Sequence, residues 1–410
     1  MSFRLGRRLG WSHPASNPTR FFPTSEFQTM NYHLLLTGAT GLLGRYLLRD
    51  LMLADVPVAA VVRGSRRQSA EDRIEALMGT WEDLLQREMP RPYVLEGDIT
   101  EPFLGLDATA RHWIDQNCDS VLHNAASLSF VATSEDGEPY RSNIKGTQNV
   151  LDLCEETGIR DFHHVSTAYV AGLRTGRIME NELDLGQQLS NPYEESKIAA
   201  EKLVRSAKFL SPPTVFRPAS IVGDSKTGFT STFHGFYACL ELAHTLVNSM
   251  GMIGTQTEGQ KKTRISLDGT ETKNFIPVDW VSKVITSIVT RRQHHGQTYH
   301  LTPRERVSSV MIRDVLERAY GFYGAEFSGY GKPIENPDEI ERLFYEQIRV
   351  YNSYWRDDPE FDTTNLQSAC PHLPCPTMNE ELMLMLSAKA MEMDFRWRDK
   401  PIKREKVPAV

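Results

Sequence analysis

The sequence predicts an α/β protein: a doubly wound parallel sheet with a smaller, discontinuous, mostly helical C-terminal domain. Three observations predict it. Short apolar, β-branched runs alternate with helical stretches from Tyr32 to about Thr302. A glycine turn joins the first run to the first helix. After Gly223 the alternation breaks into aromatic-rich helical sequence.

"YHLLLTGATGLLGRYLLRDLM", from Tyr32, reads as a strand, a turn and an amphipathic helix. "VPVAAVVRG", "YVLEGDIT" and "SVLHNAA" supply the second to fourth strands. "GTQNVLDLCEETG" is a helix stopped at Gly158. "DFHHVSTAYV" and "PPTVFRPASIVG" are the fifth and sixth strands. Strands of this kind, separated by helices, pair in parallel with right-handed crossovers and are covered on both faces. In "FTSTFHGFYACLELAHTLVNSM", Phe233, Phe236, Tyr237, Leu240, Leu246, Val247 and Met250 share one helical face. "KNFIPVDWVSKVITSIVTRR" and the strand "QTYHLT" return to the sheet. "ERLFYEQIRVYNSYW" belongs to the irregular C-terminal part.

The chain of 410 residues has room for one large or two medium domains. Its net charge of −7 is mild and dispersed, which argues against a nucleic-acid binder. Five cysteines, Cys118, Cys154, Cys239, Cys370 and Cys375, are few and odd in number, as suits a reducing compartment, and a cytoplasmic location is expected. "CPHLPC" reads as a proline-rich loop, and no metal is expected. No apolar run reaches the roughly 18 residues of a membrane span. Residues 1–29 are basic and rich in Ser, Pro and Thr, and read as a disordered extension.

"TGATGLLG" places Gly38, Gly41 and Gly44 at a strand-to-helix junction. Glycines there let the backbone approach a pyrophosphate, which the helix N-terminus then holds through unpaired amides. This pattern predicts the dinucleotide site of a Rossmann sheet, with Thr37, Thr40, Leu42 and Leu43 around the glycines. The predicted domains are therefore residues 30–227 with 270–306 for the dinucleotide, and 228–269 with 307–410 for the substrate. An acidic residue about 20 positions beyond the glycines usually takes the ribose hydroxyl of NAD. This chain has Arg63 there, followed by Arg66 and Arg67. A guanidinium holds a 2′-phosphate that a carboxylate would repel. Arg45 is expected in the same pocket, and NADP(H) is the expected cofactor.

In "NPYEESKIAAEKLV", Tyr193 and Lys197 lie four apart and share a helix face. A nearby ammonium would lower the tyrosine pKa and make the phenol a proton donor near neutral pH. Ser166 and Thr167 end the fifth strand and point to opposite faces, so one of them is expected to hold the substrate oxygen. His163 and His164 read as structural. Phe233, Phe236, Tyr237 and Leu240 would line an acyl channel or simply pack a core.

"TGATGLLG", "GDIT", "HNAA", "STAYVAG" and "YEESK" together resemble an extended short-chain dehydrogenase/reductase over about Tyr32 to Thr302. The resemblance implies a catalytic set of Thr167, Tyr193 and Lys197, the threonine assigned by alignment on Gly172. It implies Asp98 and Ile99 near the adenine, Asn124, Ala125 and Ala126 along the cofactor, and Asn143 behind the active site. Pro218, Ala219, Ser220 and Val222 would cover the nicotinamide. Arg63, "FRPASIVGDSKTG" and "NFIPVDWV" are similar to the thioester-reductase branch, which includes terminal reductase domains of peptide synthetases and fatty acyl-CoA reductases. That resemblance implies NADPH-dependent reduction of an acyl thioester, free or on an acyl carrier protein, to an aldehyde or alcohol. Two rivals stand beside it: a nucleotide-sugar epimerase, dehydratase or hydroxysteroid-type dehydrogenase of the same fold, against which Arg63 argues, and a nucleotide-sensing scaffold without turnover.

Overall fold

The computed structural model describes residues 32–249, 263–321 and 323–397. The extension at 1–29, the middle of the predicted 228–269 segment and the last residues of the chain lie outside them.

Seven strands form one parallel sheet: β1 (His33–Thr37), β2 (Val58–Val62), β3 (Tyr93–Glu96), β4 (Cys118–His123), β5 (Asp161–Val165), β6 (Thr214–Pro218) and β7 (Thr298–Leu301). Their order is β3-β2-β1-β4-β5-β6-β7, and every pairing is parallel. All seven lie where the alternation places them. The winding reverses between β1 and β4, so a crevice opens beyond the carboxyl ends of those strands.

Side-chain alternation explains the two layers. In β1, Leu34 and Leu36 join the core under helices α1 (Leu42–Leu53) and α2 (Ala70–Leu85), while Leu35 joins the opposite core. That second face carries α3 (Ala108–Asn117), α4 (Gly146–Glu156) and α5 (Pro192–Ser206). The three leucines are fully buried, each burial stabilising by about 1.5–3 kcal/mol. α5 starts sharply. Pro192 occupies its first turn and the Asn191 side chain accepts from the Glu194 amide at 3.1 Å.

Beyond the sheet, α6 (Phe236–Ser249) precedes α7 (Val278–Val289), which returns to pack beside α1. A separate core joins α6, α8 (Ser309–Tyr320) and a C-terminal helix, Glu380–Glu392, through Phe236, Leu240, Val315, Met383 and Leu386. Tyr237 and Leu240 are core residues here, and of the four aromatic-face candidates only Phe236 reaches the cavity described below.

The predicted boundary at 307–410 needs correction. Glu360–Phe361 pairs with Arg177–Ile178, and Phe361, Leu366, Ala369 and Cys370 pack into the sheet's own core. Trp280 Nε1 donates to Leu373 O at 3.0 Å. This stretch carries no strand–helix rhythm, so its return to the sheet leaves no local trace. "CPHLPC" is part of it. Its two thiols face different partners, Cys370 toward Ser287 Oγ and Cys375 toward Pro376 O.

Candidate active site

One continuous cavity of about 730 Å³ runs from the glycine turn, past the end of β5, into the helical part. At its first end Gly38 adopts φ +73°, and a Cβ there would lie 2.7 Å from the Ala125 backbone. A Cβ on Gly44 would sit 1.9 Å from Gly38 O, so this glycine lets α1 pack on the turn. At Gly41 a Cβ would meet only Gly38 O, at 3.5 Å. No side chain caps the first turn of α1, whose start, with Gly41, Leu42 and Leu43, faces the cavity. Glycines that clear the backbone and an uncapped helix N-terminus fit a dinucleotide pyrophosphate. Thr40, Ile99, Asn124, Ala125 and Ala126 also line this end. The Asn124 carboxamide donates to Gly38 O at 3.2 Å and braces the turn.

Three predicted cofactor residues work from behind. Thr37 is fully buried. Its hydroxyl accepts from the Asn124 and Ala125 amides, both at 3.2 Å, and lies 2.8 Å from His123 Nδ1. It shapes the loop without reaching the cavity. Asn143 donates to Ser196 Oγ at 2.8 Å, and Ser196 Oγ donates to Tyr193 O at 2.8 Å, so it steadies the start of α5. Gly44 acts through packing, as above.

Arg45 is a correction. Its side chain is buried away from the cavity, with the guanidinium over the Phe229 and Trp397 rings at 5.6 and 5.9 Å. Those rings come from distant parts of the chain. Arg66 and Arg67 are exposed and also stay outside the cavity lining. Arg63 does line it, with Nη1 3.4 Å from Asp98 Oδ2, and Asp98 Oδ1 accepts from the Thr100 amide and hydroxyl at 3.0 Å. Its companion is Arg73, on α2. Arg73 Nη1 donates to Arg63 O and Nη2 to Thr40 Oγ1 at 3.1 Å. Sequence reasoning passed over Arg73, which carries no signal beyond a helical position.

The middle of the cavity gathers Thr167, Tyr193 and Lys197. Ser166 and Thr167 diverge as alternation requires. Ser166 Oγ donates to the buried Glu201 at 2.7 Å, whereas the Thr167 hydroxyl lines the cavity with Tyr193 and donates to Pro218 O at 3.4 Å. Lys197 Nζ donates to Val165 O at 2.7 Å. Burial pushes the Lys197 ammonium down to about 8, against the opposing charge of Glu201.

The phenol shifts opposite to the sequence expectation. Burial raises Tyr193 to about 12, the Thr167 hydrogen bond pulls it down, and Glu194 raises it further. Lys197 points to a backbone carbonyl, so its charge does not dominate. Tyr193 is held protonated at neutral pH.

Aromatic walls absent from the sequence reading surround this tyrosine. Phe130 meets the Tyr193 ring edge-on, with centroids 5.6 Å apart. Tyr354 packs on Phe130 at 5.4 Å, accepts from Asn191 Nδ2 at 2.9 Å and donates to Glu194 Oε1 at 2.8 Å. Lys273 fastens the segment that follows, donating to Tyr354 O, Arg356 O and, at 3.1 Å, Asp358 Oδ1. The Tyr169 hydroxyl donates to Asp358 Oδ2 at 3.0 Å and lies 3.0 Å from Ser220 Oγ. Tyr169 sits inside "STAYVAG", but Tyr354 lies 160 residues from its partner Glu194 and had no local signal.

Pro218, Ala219, Ser220 and Val222 line the cavity beside Thr167. Farther in, Phe236, Cys239, Ile312, Leu316, Phe327 and Phe344 make an apolar lobe. Among the described residues no helix is long and apolar enough to cross a membrane.

The family model for "Male sterility protein", an NAD-binding family, matches residues 36–285. The nonribosomal peptide synthetase asaC of Aspergillus flavus is 30% identical over 367 residues, covering 81% of this chain and 33% of that protein. Aldehyde reductase lnaA of the same fungus is 26% identical over 409 residues, 90% of this chain and 37% of the relative. The chain thus spans about a third of the length of these two relatives. The crystal structure of the terminal R domain from the myxalamid PKS-NRPS pathway matches with a TM-score of 0.71 and 28% identity, covering 91% of this chain and 92% of that one. The chain therefore belongs to the male sterility protein family of NAD-binding domains, within the thioester-reductase branch of the extended short-chain dehydrogenases/reductases.

Proposed function

We propose that the protein is an NADPH-dependent reductase that converts an acyl thioester, on coenzyme A or a carrier protein, to an aldehyde. The observation that carries this reading is the meeting of Thr167, Tyr193 and Lys197 midway along one cavity, between the glycine turn and the apolar lobe. The names of the relatives, a peptide synthetase, an aldehyde reductase and an R domain, support the substrate class.

When bound, the dinucleotide would supply the hydride. The chain supplies the rest. Thr167 and Tyr193 hydrogen-bond the carbonyl oxygen as negative charge develops on it. Tyr193 gives that oxygen its proton, and its raised pKa keeps the donor form populated. The hemithioacetal then expels the thiol and leaves the aldehyde. Lys197 adds positive charge beneath the site while it stays protonated. Its proton is lost as pH rises through about 8, so turnover at saturating substrate is expected to fall above that pH. A rate that stays level two units higher removes Lys197 from this role.

Arg63 and Arg73 support NADPH over NADH. Two guanidinium groups beside the adenine end would bond a 2′-phosphate, each charge-assisted bond contributing about 1.5–3 kcal/mol. Replacing both by alanine is expected to weaken NADPH binding by roughly 10²- to 10⁴-fold and leave NADH binding little changed, as titration calorimetry would read. Equal losses for both dinucleotides would reject the assignment.

The reading as a whole is tested by incubating the purified protein with NADPH and a panel of acyl-CoAs, acyl-pantetheines, aldehydes and nucleotide sugars. The expected result is stoichiometric NADPH oxidation with a thioester and an aldehyde product identified by mass. Turnover confined to nucleotide sugars, without net cofactor oxidation, would overturn it.

A further inference from the structure

We infer that Asp161, His163 and His295 form a binding site for a divalent transition cation of the zinc type, at the end of the sheet opposite the active site. Asp161 and His163 are two apart on β5 and therefore share a face. His295 arrives from the turn after Arg292–His294, on the connection between α7 and β7. Asp161 Oδ2 lies 2.9 Å from His295 Nδ1, and Asp161 Oδ1 lies 3.7 Å from His163 Nε2. The candidate ligand atoms all fall within 4.8 Å of one another. Zinc bonds of about 2.0–2.2 Å to nitrogen and oxygen place tetrahedral ligand atoms roughly 3.3 Å apart, inside the observed spread.

Two further observations point to a cation. His163 is 0% exposed, and neither of its ring nitrogens has a hydrogen-bond partner. A buried imidazole with nothing to bond is costly unless its lone pair is used. In His295 both ring nitrogens face acceptors, Nδ1 the Asp161 carboxylate and Nε2 the Val289 carbonyl at 3.0 Å. A carbonyl can only accept, so Nε2 carries a hydrogen. Nδ1 then needs either a second proton or a metal between it and the carboxylate. The bond to Val289 O would orient the ring as an outer partner does in zinc sites. The nearby Arg292 is engaged with Asp119 Oδ2 at 3.0 Å. Asp161 keeps 26% of its side chain exposed, which leaves an entry path and a water position.

Two nitrogens and one carboxylate oxygen suit zinc or cobalt and are a poor set for calcium or magnesium. Asp161 is six residues from Thr167 along an extended strand, roughly 20 Å. The ion would therefore clasp the start of β5 to the turn before β7 and take no part at the catalytic end.

The test uses the untagged full chain, stripped with chelator and titrated with Zn²⁺ by calorimetry and with Co²⁺ in the visible range, without substrate. The expected result is one equivalent of Zn²⁺ that raises the melting midpoint, and a tetrahedral Co²⁺ absorption band. His295→Gln, or Asp161→Asn if the first variant folds poorly, should lose the band and weaken binding at least tenfold. A wild-type protein with no band and no thermal shift overturns the site. So does binding of equal strength in wild type and variant, which would leave a His295–Asp161 ion pair only.

Discussion

Tyr193→Phe is expected to lower turnover by roughly 10²- to 10⁴-fold, the range of a lost general acid, while dinucleotide binding is largely unchanged. The substitution removes one oxygen from the middle of the cavity. The ring keeps its edge contact with Phe130, and Thr167 lines the same stretch of the cavity. Fold and cavity shape should therefore survive. What disappears is the Tyr193 phenol, and with it both a proton and a hydrogen bond to the carbonyl oxygen. Single-turnover kinetics would read the loss of turnover, and calorimetric titration the retained dinucleotide binding. A variant within about tenfold of wild type would sink the acid role.

Arg217→Met is expected to destabilise the protein by about 3–5 kcal/mol, the usual result of stripping one partner from a buried ion pair. Arg217 on β6 and Glu201 on α5 are both almost completely buried. Arg217 Nη2 meets Glu201 Oε1 at 2.7 Å, and its Nε meets Oε2 at 3.1 Å. Ser166 donates to the same carboxylate, so the cluster ties α5 to the strands that carry Thr167 and Pro218. Burial alone would raise the Glu201 pKa, but Arg217, with Arg205, holds it below the ordinary value. Stability from such a carboxylate is present above its unfolded pKa and is lost as pH falls through the folded one. The gap in melting midpoint between wild type and variant should therefore be widest near neutral pH and narrow in acid. Arg205→Met, removing a partner that is 34% exposed, should cost at most about 1 kcal/mol. Equal melting curves for wild type and Arg217→Met would refute the role of the pair.

Some of the site was readable because its signals are local. Strand–glycine–helix order marks a turn, since the φ of Gly38 favours glycine and a Cβ on Gly38 or Gly44 would collide with the Ala125 backbone or Gly38 O. The i, i+4 spacing of Tyr193 and Lys197 needs only a helix start, which Asn191 and Pro192 provide. The cationic end was legible in kind but not in membership. Arg63 follows a strand and lines the cavity. Arg73 replaces Arg45, because where a long side chain ends depends on neighbours brought from elsewhere, here Phe229 and Trp397.

The sequence by itself determined the seven-stranded parallel sheet, the glycine turn and the tyrosine–lysine pair, because backbone periodicity and local sterics act over a few residues. Only the tertiary structure decided which arginines reach the cavity, the packing of Tyr354 on Phe130, the bond of Tyr169 to Asp358, and the return of Glu360–Phe361 to Arg177–Ile178. It also decided the upward direction of the Tyr193 pKa. Desolvation and side-chain reach are set by everything packed nearby, whatever its distance along the chain.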